Sequence, residues 1–331
     1  MKFCVTQKLW PTGMEIIESQ AECFVADNDN LNNFTDQMKG VDALVIRVCK
    51  VDAEAIAKCP DLKVIGRPGA GYDSIDEPAA TAAGIPIVLA PGVNSRSVAE
   101  HTLAMMFAMS KNLLEGHNGT AAGEFYKTRN LGKIFLMEDK MVGILGLGAV
   151  GKQVAKLCQG IGMKTCGFDP FLTREQVEAL GCVYYDDYEK MLPECDFVSL
   201  HMPLVESTVN MISKKQLQSM KRSAYLVNCA RGGIVNEQDL IEALNNEVIA
   251  GAAVDVFAHE PPAAADPLFT AKNLIASPHC AALSDETMTQ TAAKCMEGCV
   301  AVIRGEKWPL VANKAVYDHP RWKNRTPEQE G

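Results

Sequence analysis

The stretch MVGILGLGAVG, residues 141–151, sets glycines at 146, 148 and 151 directly behind an apolar, strand-like run and directly ahead of a helix-period segment. No other stretch restricts the fold as tightly. In a strand–turn–helix unit the first glycine permits the tight turn, the second lets backbone approach a pyrophosphate, and the third lets helix meet strand. The phosphates then rest on the free N–H groups of the helix start, which puts Gly146, Gly148, Ala149, Val150 and Gly151 along a dinucleotide. The next run, KTCGFD, ends on Asp169, about 20 residues on, where a carboxylate accepts the hydroxyls of an adenosine ribose. Its charge repels a 2′-phosphate, and Pro170, Phe171 and Leu172 follow it rather than arginines. That favours NAD over NADP, with Arg174 close by as the one feature against it.

The rest of the chain has the alternation that such a turn requires. Strand-like runs at Phe3 to Thr6, Cys23 to Ala26, Ala43 to Arg47, Lys63 to Gly66 and Pro86 to Leu89 are separated mostly by helical stretches, the βαβ rhythm of a parallel sheet. A long helix is expected from about Ser95 to Leu114, with Leu103, Met106, Phe107 and Leu114 needing cover and Met105, Met106 and Met109 serving as core or interface. It is expected to link two domains and to pack at their junction or against a second subunit, as the seat of a homodimer. A second sheet follows, with six strands expected at Met141 to Leu145, Lys164 to Phe168, Asp196 to Leu200, Ala224 to Asn228, Ile249 to Asp255 and Asn273 to Ser277. A last helix from Ser284 to Arg304 leads to the tail WPLVANKAVYDHPRW, apolar enough to dock on the first domain and make it discontinuous. The polar end RTPEQEG is expected to be mobile.

Composition narrows the function. A chain of 331 residues, 47% hydrophobic, supports two cores. Its 32 basic and 41 acidic residues give a net charge of -9, which opposes general binding to nucleic acid or anionic membrane. The 12 cysteines never form a CxxC pair and read as reduced thiols, mostly small core residues, with no metal implied. The opening MKFCVTQKLW lacks the apolar core of a signal peptide, and no apolar run approaches the ~18 residues that cross a bilayer, so a cytoplasmic protein is expected.

Three reactive side chains each follow a strand of the second sheet: Arg231 after AYLVN, Glu260 after IAGAAVD, and His279 after NLIAS. Ligands of open α/β sheets bind beyond the carboxyl ends of the strands, so topology can gather the three beside a nicotinamide. Histidine suits proton exchange near neutral pH, and the fork of an arginine suits a carboxylate. Among the six histidines, His259 adjoins Glu260, His201 follows a strand and lends its backbone, and His101 on the long helix is expected to pack rather than react.

Six segments carry a resemblance over nearly the whole chain: GRPGAGYDSID (66–76), PGVNSRSVAEHT (91–102), VGILGLGAVG (142–151), NCARGGIVNEQDL (228–240), AVDVFAHEPP (253–262) and SPHCAALS (277–284). On these the chain resembles the D-isomer-specific 2-hydroxyacid dehydrogenases, the family of phosphoglycerate dehydrogenase and of hydroxypyruvate or glyoxylate reductase. The resemblance implies an α/β protein of two doubly wound parallel-sheet domains. A Rossmann NAD-binding domain of residues 96–284 is inserted into a flavodoxin-like substrate domain of residues 1–95 and 285–331, with the active site in the cleft between them. It implies hydride transfer between nicotinamide and C2 of a small 2-oxo or D-2-hydroxy acid. His279 exchanges the hydroxyl proton, Glu260 holds that imidazole, and Arg231 binds the carboxylate. It further implies backbone N–H groups of Ala70 and Gly71 on the carboxylate, Asp255 on the nicotinamide amide, and His201, Met202, Pro203, Cys229 and Ala230 along the cofactor.

Arg47 and Arg67 resemble arginines that hold a phosphate in the phosphoglycerate-oxidising members, the alternative being an Arg67 paired with Asp73 or Asp76. The short tail past Arg304 leaves no appended regulatory domain expected. Two departures stand out. Ala281 replaces a common glycine, so its Cβ either narrows the space beside the nicotinamide or shifts the loop, and Pro68 stiffens the substrate loop. The remaining alternative is a cofactor-sensing scaffold like the transcriptional corepressors that share this fold.

Overall fold

The computed structural model describes residues 1–129 and 134–323; the expected mobile end RTPEQEG lies outside them. Two compact units emerge, one of Met1–Asn94 joined by the residues from Leu283 on, the other of Ser95–Ala282.

The first unit holds five parallel strands, β1 (Lys2–Val5), β2 (Glu22–Val25), β3 (Ala43–Val45), β4 (Val64–Arg67) and β5 (Ile87–Leu89), in the order β2-β1-β3-β4-β5. This is the flavodoxin-like order. Alternate residues feed two cores. Cys4, Leu44, Ile65 and Ile87 enter one, while Phe3, Val5, Val45, Val64 and Val88 enter the other, so strands buried on both faces read as continuous apolar runs. The second core is completed from the far end of the chain. The helix Asp285–Ile303, whose N-cap Ser284 accepts from the Thr287 N–H at 3.3 Å, contributes Cys295, Met296 and Cys299. The expected docking of the tail is present: Leu89 N–H donates to Leu310 O at 2.9 Å and Trp322 Nε1–H to Gly84 O at 2.9 Å.

The second unit carries β6 (Met141–Leu145), β7 (Lys164–Phe168), β8 (Val183–Tyr184), β9 (Phe197–Leu200), β10 (Tyr225–Asn228), β11 (Gly251–Val254) and β12 (Leu274–Ala276), all parallel, in the order β12-β11-β10-β9-β6-β7-β8. There are seven strands rather than the expected six. The addition is the edge strand β8, whose two residues are exposed or half-buried and therefore leave no periodic signal. The strand order reverses between β6 and β9, the switch point of a doubly wound sheet.

The expected helix to Leu114 is also shorter. It runs over Ser95–Ser110 and breaks at Asn112, whose φ of 51° is left-handed. Its apolar face, with Met105, Met106 and Met109 buried, is covered by the helix Ala149–Gly160 and the sheet. Leu114 remains 50% exposed, contrary to expectation. The helices that follow, Leu113–Ala121 and Phe125–Arg129, bury none of their residues.

Candidate active site

The glycine turn shows what each glycine is for. Gly146 has φ +88°, and a Cβ there would lie 2.7 Å from the carbonyl oxygen of His201. A Cβ on Gly151 would strike the carbonyl of Gly146. Gly148, by contrast, has nothing within 4 Å of where its Cβ would be, and it is the N-cap residue of Ala149–Gly160. Two glycines are thus demanded by packing, while the third leaves open space before free helix N–H groups. That cradle fits a pyrophosphate.

Asp169, just past β7, is fixed above the turn: Oδ2 accepts from Leu147 N–H and Oδ1 from Phe171 N–H, each at 2.9 Å. Arg174 is occupied elsewhere, stacked 4.7 Å from the Tyr184 ring and paired with Glu178 at 3.4 Å. His201 follows β9 with Nε2 2.7 Å from Ser199 Oγ. Its buried Nδ1 has no partner, and burial pushes the imidazole down to about 3, leaving it neutral. The backbone beside Gly146 is the part of His201 turned to the cradle. Cys229 and Ala230 after β10 are buried.

The loops after β10, β11 and β12 bring the reactive groups to one end of the sheet. Asn228 shapes the first of them, donating from Nδ2 to Arg231 O at 2.9 Å and accepting at Oδ1 from Ala230 N–H at 3.1 Å. Arg231 Nη1 donates to Ala230 O at 2.7 Å. A Cβ on Gly232 would run into the carbonyl of Phe257, so the loop of Arg231 lies directly on the loop that carries Glu260. Glu260 in turn accepts from Phe257 N–H through Oε1 at 3.1 Å and meets His279 Nδ1 through Oε2 at 2.7 Å. An ionised carboxylate only accepts, so Nδ1 carries the hydrogen and Nε2 is the nitrogen left to exchange a proton. His279 is 48% exposed on its side chain and sits at φ +50°, a conformation held by its loop. His259 is exposed beside them.

That loop is pinned by Asp255. Its Oδ1 accepts from Cys280 N–H at 2.9 Å and from the Ser277 hydroxyl, and its Oδ2 accepts from Ala281 N–H at 2.9 Å. Ala281 is 4% exposed and its side chain belongs to the core beneath Ser95–Ser110, so its Cβ is absorbed by packing. Sequence reasoning gave Ser277 no role and treated His101 as packing. In the structure His101 Nε2 lies 3.0 Å from Ser277 Oγ and 3.6 Å from Asp255 Oδ1. No local signal marks a pair 176 residues apart.

The substrate candidates Arg47, Arg67, Ala70 and Gly71 belong to the first unit. Arg47 lies two residues beyond β3 and Arg67 ends β4. Arg67 folds back, with Nη1 donating to Pro68 O at 2.9 Å. Asp76 caps the helix Glu77–Ala82 by accepting from Ala79 N–H at 2.9 Å. Ala70 is exposed and Gly71 half-buried in the loop between.

Residues 103–281 match the model of the D-isomer specific 2-hydroxyacid dehydrogenase NAD binding domain. The chain belongs to the D-isomer specific 2-hydroxyacid dehydrogenases. Among its relatives, D-3-phosphoglycerate dehydrogenase of Methanocaldococcus jannaschii is 38% identical over 95% of this chain and 59% of its own length. Glyoxylate reductase of Korarchaeum cryptofilum is 34% identical over 94% of this chain and 96% of its own length. The chain therefore spans between half and three-fifths of the phosphoglycerate dehydrogenases it matches first, at 59% and 50%. The structure of D-lactate dehydrogenase from Escherichia coli superposes with a TM-score of 0.84 at 25% identity, covering 94% of this chain and 100% of that one.

Proposed function

We propose that the chain is an NAD-dependent oxidoreductase that interconverts a small 2-oxo acid and its D-2-hydroxy acid. The observation that carries the reading is the 2.7 Å contact between His279 Nδ1 and Glu260, at the same end of the sheet as the open glycine cradle. A nicotinamide dinucleotide held there would supply or accept the hydride. Gly146, Gly148, Ala149, Val150 and Gly151 hold its pyrophosphate, Asp169 the adenosine ribose, and the segments His201 to Pro203 and Cys229 to Arg231 flank it.

Asp255, which accepts from Ser277, Cys280 and Ala281, is the acceptor proposed for the nicotinamide amide. NAD is preferred to NADP because Asp169 opposes a 2′-phosphate while Arg174 is held against Tyr184 and Glu178. Arg231 binds the substrate carboxylate and stabilises the oxyanion character that develops at C2. His279 delivers a proton from Nε2 to that oxygen in reduction and removes it in oxidation, while Glu260 keeps Nδ1–H engaged so that the imidazole neither rotates nor changes tautomer. Arg47, Arg67 and the backbone of Ala70 and Gly71 take the rest of the acid. Reduction of the oxo acid is the easier direction for the nicotinamide couple unless a following step draws oxidation forward.

We further propose a cytoplasmic homodimer. Ten buried free thiols suit a reducing compartment, and among the described residues no helix is long and apolar enough to cross a membrane. The helix Ser95–Ser110 already has its apolar face covered, so the dimer contact moves to the next segments, where Leu113, Leu114, Phe125 and Tyr126 are 50% to 79% exposed. A monomeric mass in light scattering would reject it.

The function is tested by NADH oxidation with glyoxylate, hydroxypyruvate, 2-oxobutyrate, phosphohydroxypyruvate and 2-oxoglutarate, on wild type and Arg47→Ala. Turnover with at least one is expected, and turnover with none overturns the reading in favour of a cofactor-sensing scaffold. A loss in Arg47→Ala confined to the phosphorylated compound identifies a phosphate subsite; equal loss across the panel removes it.

A further inference from the structure

The loop that carries His279 is tied to the helix Ser95–Ser110 by a hydrogen-bond chain whose direction follows from proton accounting. Ser277 has one hydroxyl hydrogen, and the carboxylate of Asp255 accepts only. Ser277 Oγ lies within hydrogen-bond reach of both Asp255 Oδ1 and His101 Nε2, so its hydrogen goes to Asp255 and it must accept from His101. The chain therefore reads His101 Nε2–H to Ser277 Oγ–H to Asp255 Oδ1. The same oxygen also accepts Cys280 N–H, and its neighbour accepts Ala281 N–H. Every residue from Ser277 to Ala281 except Pro278 and His279 is thereby fastened to one buried carboxylate.

His279 itself spans the gap at φ +50°, its N–H on Ser277 O at 3.0 Å. A left-handed histidine is strained and persists only where its surroundings over-determine it, so the ring keeps its place only while both flanks are held. A second tie fastens the same helix to the C-terminal flank, Ser97 Oγ–H donating to Ala281 O at 2.8 Å.

We propose that His101 is a positioning residue for His279: donating through Ser277 into Asp255, it locks the N-terminal flank of the proton-exchange loop onto the helix Ser95–Ser110. His101 is suited to this because its side chain is 25% exposed while Asp255 is 1% exposed, so the ring closes the outer side of a carboxylate that is otherwise buried. His101, Asp255 and Cys280 also place metal-ligand atoms within 4.8 Å of one another. Oδ1 of Asp255, the atom facing His101, already spends two lone pairs on Ser277 and Cys280, and a cation there would have to break the ties that fix the loop. The donor chain is the arrangement these groups satisfy together.

The proposal rests on the reading of His279 as the group that exchanges the proton, and its test separates the two. Steady-state kinetics and hydrogen exchange of residues 277–282 are measured on wild type, His101→Ala, His101→Gln, Ser277→Ala and the His101→Ala/Ser277→Ala double variant. His101→Ala should lower kcat about tenfold while changing KM for NADH and oxo acid less than about threefold, because cofactor and acid still bind but the proton is misplaced. Gln, whose amide can donate as Nε2–H does, should recover most of that loss. In the Ser277→Ala background the same His101→Ala change should cost less than about twofold, since the chain is already cut. Exchange at 277–282 should quicken in His101→Ala and in Ser277→Ala alike.

An equal kcat loss in both backgrounds, or unchanged kcat and unchanged exchange in His101→Ala, overturns the positioning role. A wild type with no turnover overturns the functional reading instead, and the exchange comparison then still decides whether His101 holds the loop.

Discussion

The two ends of the seven-stranded sheet solve different problems with the same strands. At the amino end, where β9, β10, β11 and β12 begin, oppositely charged side chains meet: Lys221 with Asp196 at 3.1 Å, Arg222 with Glu247 at 3.1 Å, and Lys272 with Glu247 at 3.8 Å. Phe197 and Tyr225 stack there with ring centroids 5.3 Å apart, and Phe135 covers Tyr225 at 5.7 Å. At the carboxyl end the loops carry a left-handed histidine, a neutral buried imidazole with an unpartnered nitrogen and a glycine cradle with open space. One end pairs its charges and stacks its rings around a cavity of about 510 Å³ lined by Asp196, Arg222, Tyr225 and Glu247; the other keeps unmet hydrogen-bonding capacity. In parallel α/β sheets the carboxyl end is where helix N-termini and loops converge, so the cost of an open site falls there, and the amino end is free to stabilise.

That division is tested most sharply by His279→Ala. It should lower kcat by about a thousandfold or more with the melting temperature within about 2 °C of wild type, because the side chain is half-exposed; a large drop in thermal stability would break the comparison. The opposite result is expected from Phe197→Ala at the amino end. Phe197 is fully buried, so urea unfolding should show a loss of about 3–5 kcal/mol, while kcat per folded molecule in active-site titration stays near wild type.

A smaller effect is expected from Arg231→Lys. A point charge replaces a planar fork, and kcat/KM should fall about a hundredfold, roughly 2.7 kcal/mol, without loss of stability.

The smallest is a pH dependence. His201 in the folded protein titrates at about 3, far below the usual 6.5, because burial disfavours its charged form. The unfolded chain therefore binds the proton first as acid is added, so stability is full above pH 6.5 and declines as pH falls towards 3. At pH 5 the loss is about 2 kcal/mol. His201→Gln should remove about one proton's worth of slope from the stability profile between pH 6.5 and 5, and an unchanged slope would mean the ring is solvated rather than buried.

What could be read in advance followed periodicity and turn chemistry. β6, β7 and the helix Ala149–Gly160 fall where the apolar runs and glycines put them, since a buried strand and a glycine turn leave local signals. β8 left none, being two residues at an edge. The helix break at Asn112 was hidden because Lys111, Asn112 and Leu113 do not interrupt a helical pattern, and only the left-handed backbone of Asn112 ends the run. At the site, Arg231, Glu260 and His279 were visible as strand-end residues. The clasp of His101, Ser277 and Asp255 was not, because a hydrogen bond between residues 101 and 277 depends on the fold rather than on spacing. His101 sits on an apolar helix, where packing is the reading that sequence alone suggests.

The first unit is closed by the last described part of the chain: Phe3, Val5, Val45, Val64 and Val88 share a core with Cys295, Met296, Cys299 and Trp322. During synthesis those five residues leave the ribosome before the segment that shields them has been translated. The inserted unit is contiguous and has its own core, so it can complete its sheet while the earlier-made one still shows a bare apolar face. Completion of the two cores then runs against the order of translation, and in the interval that apolar face is exposed to aggregation.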